Sequence, residues 1–198
     1  AVGASGTLVI DGTTDIDFTG ALTGVALSAG SATGNITIAT VNATTTYTTG
    51  SGNDSFTSAT NMNLNITAGT GTDTLVLTND DYSASTLTLS GIEVINSATG
   101  VVTLAGSHAT GSSYVFGGAS TFVVTAQSGT GEVVDLKETS NAVGMVLNGA
   151  AGGDALTGSK STATTINGLG GNDAITGGAA ADTFAGGTGV DTIDISLS

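Results

Sequence analysis

The 198-residue chain contains no cysteine, no proline and no tryptophan, and its only strongly basic residues are two lysines. Without cysteine, neither disulfide bonds nor thiolate metal sites can form. Two lysines cannot build the basic patch that nucleic-acid binding requires, and contact with an anionic membrane surface is disfavoured for the same reason. No apolar run is long enough to span a bilayer, so we expect no membrane insertion.

Aromatic residues are also scarce, at 4% of the chain, although hydrophobic residues make up 39%. Large aromatic side chains normally dominate a globular core, so we expect a narrow core of Val, Ile, Leu, Ala and Thr. The abundance of Thr, Val and Gly favours strands over helices. No long stretch has apolar residues at helical spacing, and the sequence therefore predicts an all-β protein.

Short segments that alternate apolar residues with Thr or Ser predict strands with one buried face. These segments lie at 7–11, 35–41, 63–67, 73–78, 86–90, 91–96, 101–106, 114–118, 121–126 and 144–149. Their spacing is irregular over residues 1–148, which leaves an antiparallel sandwich open for that part as an alternative to a less regular solenoid.

Towards the C-terminus, aspartate returns in blocks of nine residues. The blocks are GAAGGDALT from 149, GLGGNDAIT from 168, GGAAADTFA from 177 and GGTGVDTID from 186. Each has Asp at its sixth place and a large apolar residue at its eighth. Nine residues accommodate one turn and one short strand, so two blocks make one coil of a parallel β-solenoid.

Coil geometry explains why the acids recur at this interval. Residues 18 or 19 apart stack at the strand spacing of about 4.8 Å, which places Asp173 over Asp191. Two carboxylates at that distance repel each other and resist ionising together. A divalent cation between them removes the conflict, and hard cations such as Ca²⁺ prefer oxygen ligands. The net charge of −14 at pH 7 is consistent with a chain that binds cations.

These blocks resemble the RTX nonapeptide repeat, G-G-x-G-x-D-x-U-x, whose β-roll binds Ca²⁺. The likeness is strongest at 168–194, partial at 149–157, and looser at 49–57 and 68–76. The resemblance implies carboxylate ligands at the sixth places: Asp54, Asp73, Asp154, Asp173, Asp182 and Asp191. It also implies that carbonyl groups of turn residues complete the sites: Gly168, Gly170, Asn172, Gly177 and Gly186. The fold it implies is a right-handed parallel β-roll or β-helix with Ca²⁺ in the turns.

Two departures from the repeat weaken one position. Ala180 stands where a fourth-place glycine is expected, and the segment 158–167 contains no aspartate. Asp182 therefore lacks a carboxylate partner one coil below it, and it is the position where an ion is least expected. On this basis the chain divides into a β-roll at 149–198 and an irregular β-solenoid or β-rich region at 1–148 that carries two RTX-like turns.

A second resemblance lies in the middle of the chain. The segment from Gly69, with GTDTL followed by LSGIEVI, is similar to units of RTX-type S-layer proteins of Gram-negative bacteria. That family implies a structural protein secreted by a type I channel, folding with Ca²⁺ outside the cell and assembling with its own copies into a two-dimensional surface lattice. Another region would anchor it, for example to surface polysaccharide. The alternatives are a Ca²⁺-stapled adhesin or ice-binding region, or the export module of a secreted enzyme.

The remaining acidic and basic residues give weaker signals. The trio Asp11, Asp15 and Asp17 indicates a solvated loop, with a metal site as the less favoured alternative. The NDD sequence at 79–81 predicts a turn. Glu93 is expected on the solvent face. His108 has no second histidine or cysteine for a zinc site and no nucleophile elbow, so we expect no enzyme activity. The lysines, Lys137 and Lys160, are read as solubilising residues, with pairing to a neighbouring copy as the alternative. The N-terminus does not read as a signal peptide, and the chain is expected to be a fragment of a longer protein.

Overall fold

The structure is a computed structural model that describes residues 6–43, 45–78, 80–118, 121–127, 129, 131–141 and 144–195. It is nearly all-β, with parallel strands that form a β-solenoid of about nine turns. The chain divides into two compact units, which are described separately. Unit 1 comprises 1–78 and 85–96, and unit 2 comprises 79–84 and 97–198. The sequence predicts a boundary near residue 148, where the coils become regular. The two units differ in another respect, the compactness of the chain, so the predicted boundary stays a prediction.

Short strands and one helical turn follow one another along the described residues. They are β1 Gly6–Gly12, β2 Ile16–Phe18, β3 Val25–Ala32, β4 Ile36–Ile38, β5 Thr46–Thr48, β6 Ser55–Ser58, β7 Leu64–Thr67, β8 Thr74–Leu77, β9 Asp80–Asp81, β10 Leu87–Ser90, β11 Val94–Ser97, β12 Val102–Ala105, α1 Gly106–Ala109, β13 Val115–Gly118, β14 Phe122–Thr125, β15 Val133–Asp135, β16 Ser140–Asn141, β17 Met145–Asn148, β18 Ala155–Thr157, β19 Thr164–Asn167, β20 Ala174–Thr176, β21 Thr183–Ala185 and β22 Thr192–Asp194.

Unit 1 consists of two rows of parallel strands that alternate along the chain. One row runs β1-β3-β5-β7-β10 and the other β2-β4-β6-β8-β11. Each coil thus contributes one strand to each row, as the nine-residue spacing requires. The narrow core between the rows includes Tyr47 and Phe56, which are both 0% exposed and meet edge to face with ring centroids 6.2 Å apart. The Tyr47 hydroxyl accepts the Asn42 N–H at 2.8 Å, which satisfies its polar end.

Unit 2 has the same two-row architecture. Its longer sheet runs β21-β19-β17-β14-β12-β9, and a second sheet runs β15-β18-β20-β22. The register steps by 19 or 18 residues, as in the pairs Leu156 with Ile175 and Ile175 with Ile193. The residues two places after Asp154 and Asp173 are Leu156 and Ile175, and each is only 1% exposed. The eighth place of the repeat therefore points into the core of these coils.

Several turns bring successive backbones so close that a side chain cannot fit. A Cβ added at Gly50 would overlap with the carbonyl oxygen of Ala32, one coil away. Other turns need a left-handed backbone, and in two of the four nonapeptide turns the second residue has it. Gly187 has φ 103°, and Leu169, at the equivalent place one coil earlier, has φ 73°. Leucine is strained in this region because its Cβ approaches the following carbonyl oxygen.

The parallel pairing excludes the antiparallel sandwich that the sequence left open for residues 1–148. All ten predicted strand segments contain a strand, with ends that differ by up to three residues. The reading of residues 79–81 as a turn is wrong for Asp80 and Asp81. They form β9 and pair with Val102 and Thr103, while Asn79 lies outside the described residues.

Candidate metal centre

The aspartates of unit 2 form a ladder along one edge of the solenoid. Each carboxylate accepts a backbone N–H from the coil before it, through its Oδ1 atom. The Glu132 N–H donates to Asp154 at 2.7 Å, Asp154 N–H to Asp173 at 2.8 Å, and Asp173 N–H to Asp191 at 3.0 Å. The structure thus stacks three of the predicted ligands, and the same interaction that orients each carboxylate ties one coil to the next.

Asp182 lies on the opposite edge, where no second aspartate accompanies it among the described residues. Its Oδ1 accepts the Thr164 N–H at 2.8 Å, so threonine fills the ladder position in the segment that lacks an acid. Its Oδ2 accepts the Gly178 N–H at 2.7 Å. Both oxygens therefore have donors from the protein itself. That an ion is least expected at Asp182 stays a prediction.

The turns of unit 2 are of two kinds, which differ in whether the Oδ2 atom of the aspartate has a hydrogen-bond donor. In the turn before Asp154, the Ala150 N–H donates to Oδ2 at 2.7 Å, as Gly178 does for Asp182. In the turn before Asp173 the equivalent residue is Leu169, which has a left-handed backbone. The hydrogen bond from this residue to the second carboxylate oxygen is not formed there. The Oδ2 atom of Asp173 has no hydrogen-bond partner although the residue is only 2% exposed. A buried carboxylate oxygen without a donor carries a large desolvation cost unless a cation or a proton compensates it.

Unit 1 contains a second ladder of the same construction. The Ile36 N–H donates to Asp54 Oδ1 at 2.7 Å, and the Asp54 N–H donates to Asp73 Oδ1 at 2.7 Å. The Asp73 N–H then donates to Glu93 Oε2 at 2.8 Å. Asp54 and Asp73 are 1% and 0% exposed, and the Oδ2 atom of each has no hydrogen-bond partner. Glu93 is exposed, as expected, but it also ends this ladder, which its isolated position in the sequence does not indicate.

A second kind of ladder is formed by Asp and Asn side chains. In it each side chain accepts an N–H from the coil after it, whereas in the first kind the N–H comes from the coil before. The Asn35 N–H donates to Asp15, the Asn53 N–H donates to Asn35, and the Thr72 N–H donates to Asn53, at 2.7 to 2.9 Å. In unit 2 the Val190 N–H donates to Asn172 Oδ1 at 2.8 Å. The RTX resemblance implies a role for the Asn172 carbonyl group, and it does not reveal this role of the side chain.

Glycines at the first place of the repeat leave room where oxygens converge. A Cβ added at Gly168 would overlap with both Asp173 Oδ2 and the carbonyl oxygen of Gly186. At Gly149 it would meet Asp154 Oδ2 at 2.8 Å and would overlap with the carbonyl oxygen of Gly168. In each case a carboxylate oxygen and the carbonyl oxygen of the following coil both lie close to the position that the Cβ would occupy. Such hard oxygen donors suit Ca²⁺, and the partnerless Oδ2 of Asp173 lies among them, so these residues fit the ion.

The other predicted residues have different positions. The N–H of Gly170 donates to the carbonyl oxygens of Ala150 and Gly168, both at 3.2 Å. A Cβ at Gly177 would meet Asp182 Oδ2 at 2.7 Å, and one at Gly186 would overlap with Asp191 Oδ2. Within the described ranges, no three histidine, aspartate or glutamate side chains come together as a metal-binding group. Any Ca²⁺ at the ladders would therefore take most of its ligands from backbone carbonyl oxygens.

Burial raises the pKa of Asp73 to about 6 from its ordinary value of 3.8. The hydrogen bond from the Asp54 N–H acts in the opposite direction, and the negative charges of Asp54 and Glu93 raise the pKa further. At neutral pH the folded protein without a cation therefore holds a buried negative charge whose environment favours protonation. The raised pKa of Asp73 thus reports the same conflict that Ca²⁺ would remove.

The protein without Ca²⁺ is expected to become more stable as the pH falls. Folded Asp73 binds a proton that the unfolded chain does not bind between pH about 6 and 3.8, so this stabilisation is complete below 3.8 and is lost as the pH rises through about 6. The expected gain is on the order of 1–3 kcal/mol, measured by urea denaturation in EDTA at neutral and acidic pH. Asp73→Asn is the control, because it lacks the titrating group. An equal pH dependence in this variant would contradict the assignment.

His108 lies in α1, where its Nδ1 accepts the Ala105 N–H at 3.3 Å. None of the helical segments that the structure describes is long and apolar enough to span a bilayer. No family model, curated protein or solved structure matches the chain.

Proposed function

We propose that this protein is a structural, non-enzymatic β-solenoid that binds Ca²⁺ along its carboxylate ladders and assembles with its own copies into a cell-surface lattice. The RTX and S-layer resemblances supply the extracellular, Gram-negative setting and the type I export of this proposal. Ca²⁺ at millimolar concentration outside the cell would favour the folded form by mass action, whereas the chain in low Ca²⁺ would remain exportable.

The observation that carries the Ca²⁺ part is the set of partnerless buried oxygens. The Oδ2 atoms of Asp54, Asp73 and Asp173 have no hydrogen-bond donor, although other buried polar side chains of unit 2, such as Asp154 and Ser159, are paired. Asp173 Oδ2 and the Gly186 carbonyl would hold one ion, and Ca²⁺ would supply there the positive charge that the stacked carboxylates lack. The ladder itself orients Oδ1 towards the backbone, which leaves Oδ2 for the ion.

The assembly part is tested by comparing the protein in Ca²⁺ and in EDTA. In millimolar Ca²⁺ we expect extended ordered sheets in negative-stain electron microscopy and a large fraction of pelleted protein. In EDTA we expect no sheets, because the stacked carboxylates repel and the coils loosen. Mg²⁺ is the matched control, since its smaller ion demands stricter octahedral geometry and keeps its water. Persistent monomers in Ca²⁺, with the fold intact by circular dichroism, would reject the lattice function.

One observation favours the ice-binding alternative as a second candidate. The outer face of the first row of unit 1 carries a line of hydroxyl groups, because the register aligns Ser28, Thr48, Thr67 and Ser90. The sequence indicates only two turns in a common register, whereas this line crosses four strands. Its members repeat at the strand spacing of about 4.8 Å. A thermal hysteresis assay separates the candidates, since a lattice protein does not depress the freezing point in this way.

A further inference from the structure

Among the asparagines of the chain, only Asn148 and Asn167 precede a glycine, and both lie in the coils of unit 2 that carry the aspartate ladder. Asn148 is the last residue of β17 and Asn167 the last of β19, and the register of these strands places one over the other. The glycines that follow them, Gly149 and Gly168, are the first residues of two nonapeptide blocks. The two Asn–Gly pairs are thus equivalent positions in successive coils.

An asparagine that precedes a glycine can modify itself without any other protein group. The backbone nitrogen of the glycine attacks the side-chain Cγ of the asparagine, a five-membered succinimide ring closes, and the amide nitrogen leaves as ammonia with the proton of the glycine N–H. Water then opens the ring at one of its two carbonyl groups, which gives aspartate or isoaspartate. Asparagine is a thermolabile residue, and glycine after it favours the attack because it has no Cβ and turns freely.

In the folded coils both attacking nitrogens are held in hydrogen bonds. The Gly149 N–H donates to the Asn167 carbonyl oxygen at 2.8 Å, and the Gly168 N–H donates to the Ala185 carbonyl oxygen at 2.7 Å. Both glycines are buried, so a water molecule has no access to remove the proton. Because the nitrogen must leave its hydrogen bond and lose its proton before it can attack, the coil has to open first.

The packing of the coils also explains why such reactive pairs stand here. A Cβ added at Gly149 would overlap with the Gly168 carbonyl oxygen, and one added at Gly168 would overlap with the Gly186 carbonyl oxygen. No residue that slows the attack can therefore replace either glycine. The asparagine side chains join the same coils, since Asn167 Nδ2 donates to Asn148 Oδ1 at 2.9 Å. The close approach that stabilises the folded coils thus requires a sequence that is labile in the unfolded chain.

We infer that Asn148 and Asn167 are self-modification sites that folding blocks, so that deamidation at these positions records the time the chain spends unfolded. Isoaspartate carries the main chain through its side chain, and the extra carbon would displace the register of β17 on β19. Aspartate at both positions would instead stack two more carboxylates one coil apart. Either product therefore acts against refolding. The inference goes beyond the proposed function, and only its dependence on Ca²⁺ rests on that function.

The test compares deamidation in folded and unfolded protein by peptide mass spectrometry. Trypsin cleaves after Lys137 and Lys160, which places Asn148 and Asn167 in separate peptides. Each of these peptides contains one further asparagine that does not precede a glycine and serves as the internal control. At mildly alkaline pH we expect both Asn–Gly pairs to deamidate about a hundredfold more slowly in Ca²⁺ than in guanidinium chloride, because the folded coil has to open before the attack.

A second measurement follows refolding after the unfolded protein has been aged. When the denaturant is replaced by Ca²⁺, we expect the β signal in circular dichroism to recover less as the deamidated fraction rises. N148Q/N167Q is the matched control, because glutamine keeps the amide group but has to close a larger ring and reacts more slowly. After the same ageing this variant should refold to the extent that it did before.

Two results would overturn the inference. One is an equal deamidation rate at the Asn–Gly pairs in folded and unfolded wild-type protein, and the other is full refolding of protein that is deamidated at both sites. A sample in EDTA without denaturant tests the proposed function separately. If its rate equals that in guanidinium chloride, the fold depends on Ca²⁺ as proposed. If its rate equals that in Ca²⁺, this dependence is rejected, while the protection by folding stands on the comparison with denaturant.

Discussion

Removal of Ca²⁺ is expected to lower the free energy of unfolding by about 2.7 kcal/mol for each site that is exposed to Ca²⁺ at a hundred times its dissociation constant. The proposed sites are those where a buried Oδ2 atom has no protein donor, at Asp54, Asp73 and Asp173. EDTA should therefore shift the urea midpoint strongly to lower concentration. The measurement is the loss of the β signal in urea, with the amount of Ca²⁺ bound determined separately by calorimetry.

A single substitution separates the ion from the ladder. Asp173→Asn keeps an oxygen that accepts the Asp154 N–H but removes the charge. In Ca²⁺ the variant should be less stable than the wild type, and in EDTA it should be equally or more stable because repulsion along the ladder falls. Asp182→Asn is the control. Both oxygens of Asp182 accept backbone N–H groups, so its loss should destabilise the protein equally in the two media. An equal effect of Asp173→Asn in both media would exclude an ion there.

Gly50→Ala is expected to destabilise the protein by about 3 kcal/mol. The added methyl group would overlap with the Ala32 carbonyl oxygen and would lie 3.0 Å from the Ala29 carbonyl oxygen, and both belong to the backbone of another coil. Neither can rotate away as a side chain could, so the strain is at the upper end of the usual cost of overpacking. Urea denaturation in Ca²⁺ measures the difference from the wild type.

The control for this substitution lies in the same unit. A Cβ at Gly20 has no atom within 4 Å, and its φ is not positive. Gly20→Ala should therefore be neutral or slightly stabilising, because alanine restricts the unfolded chain more than glycine does. If both variants lost the same stability, the cause would be the general loss of glycine and not the close approach of the coils.

The sequence predicts the repeat geometry well because the stacked aspartates and the buried apolar residues recur with the same period. The aspartates at intervals of 18 or 19 indicate which residues stack, and the apolar residues two places later indicate the core. This is why Asp154, Asp173 and Asp191 are found in one ladder, with Leu156 and Ile175 buried beside it. Ca²⁺ binding, by contrast, stays a prediction, since it depends on a solution property that the fold alone does not test.

In the irregular coils, the ladder residues are not found by a search for a nine-residue period. The Glu93 carboxylate and the Glu132 N–H take ladder positions, but these residues are offset by 20 and 22 residues from their partners. The periodicity does not reveal the second kind of ladder either, because the oxygens of Asn35 and Asn53 act on backbone groups and leave no charge pattern. The left-handed backbone of Leu169, in the turn before the partnerless Oδ2 of Asp173, is not indicated by the sequence either, because leucine does not signal this conformation.

The two ladders with opposite directions have a consequence for how such a protein can evolve. In unit 1 the coils that carry Asn35, Asn53 and Thr72 each receive one side-chain hydrogen bond from the coil before and one from the coil after, and both contacts are made to the backbone. A duplicated segment of one coil therefore brings with it the groups that join it to its neighbours, whatever residues those neighbours carry. Growth and shrinkage by whole coils can proceed by unequal recombination without compensating mutations elsewhere, so length is the most readily varied property of this architecture.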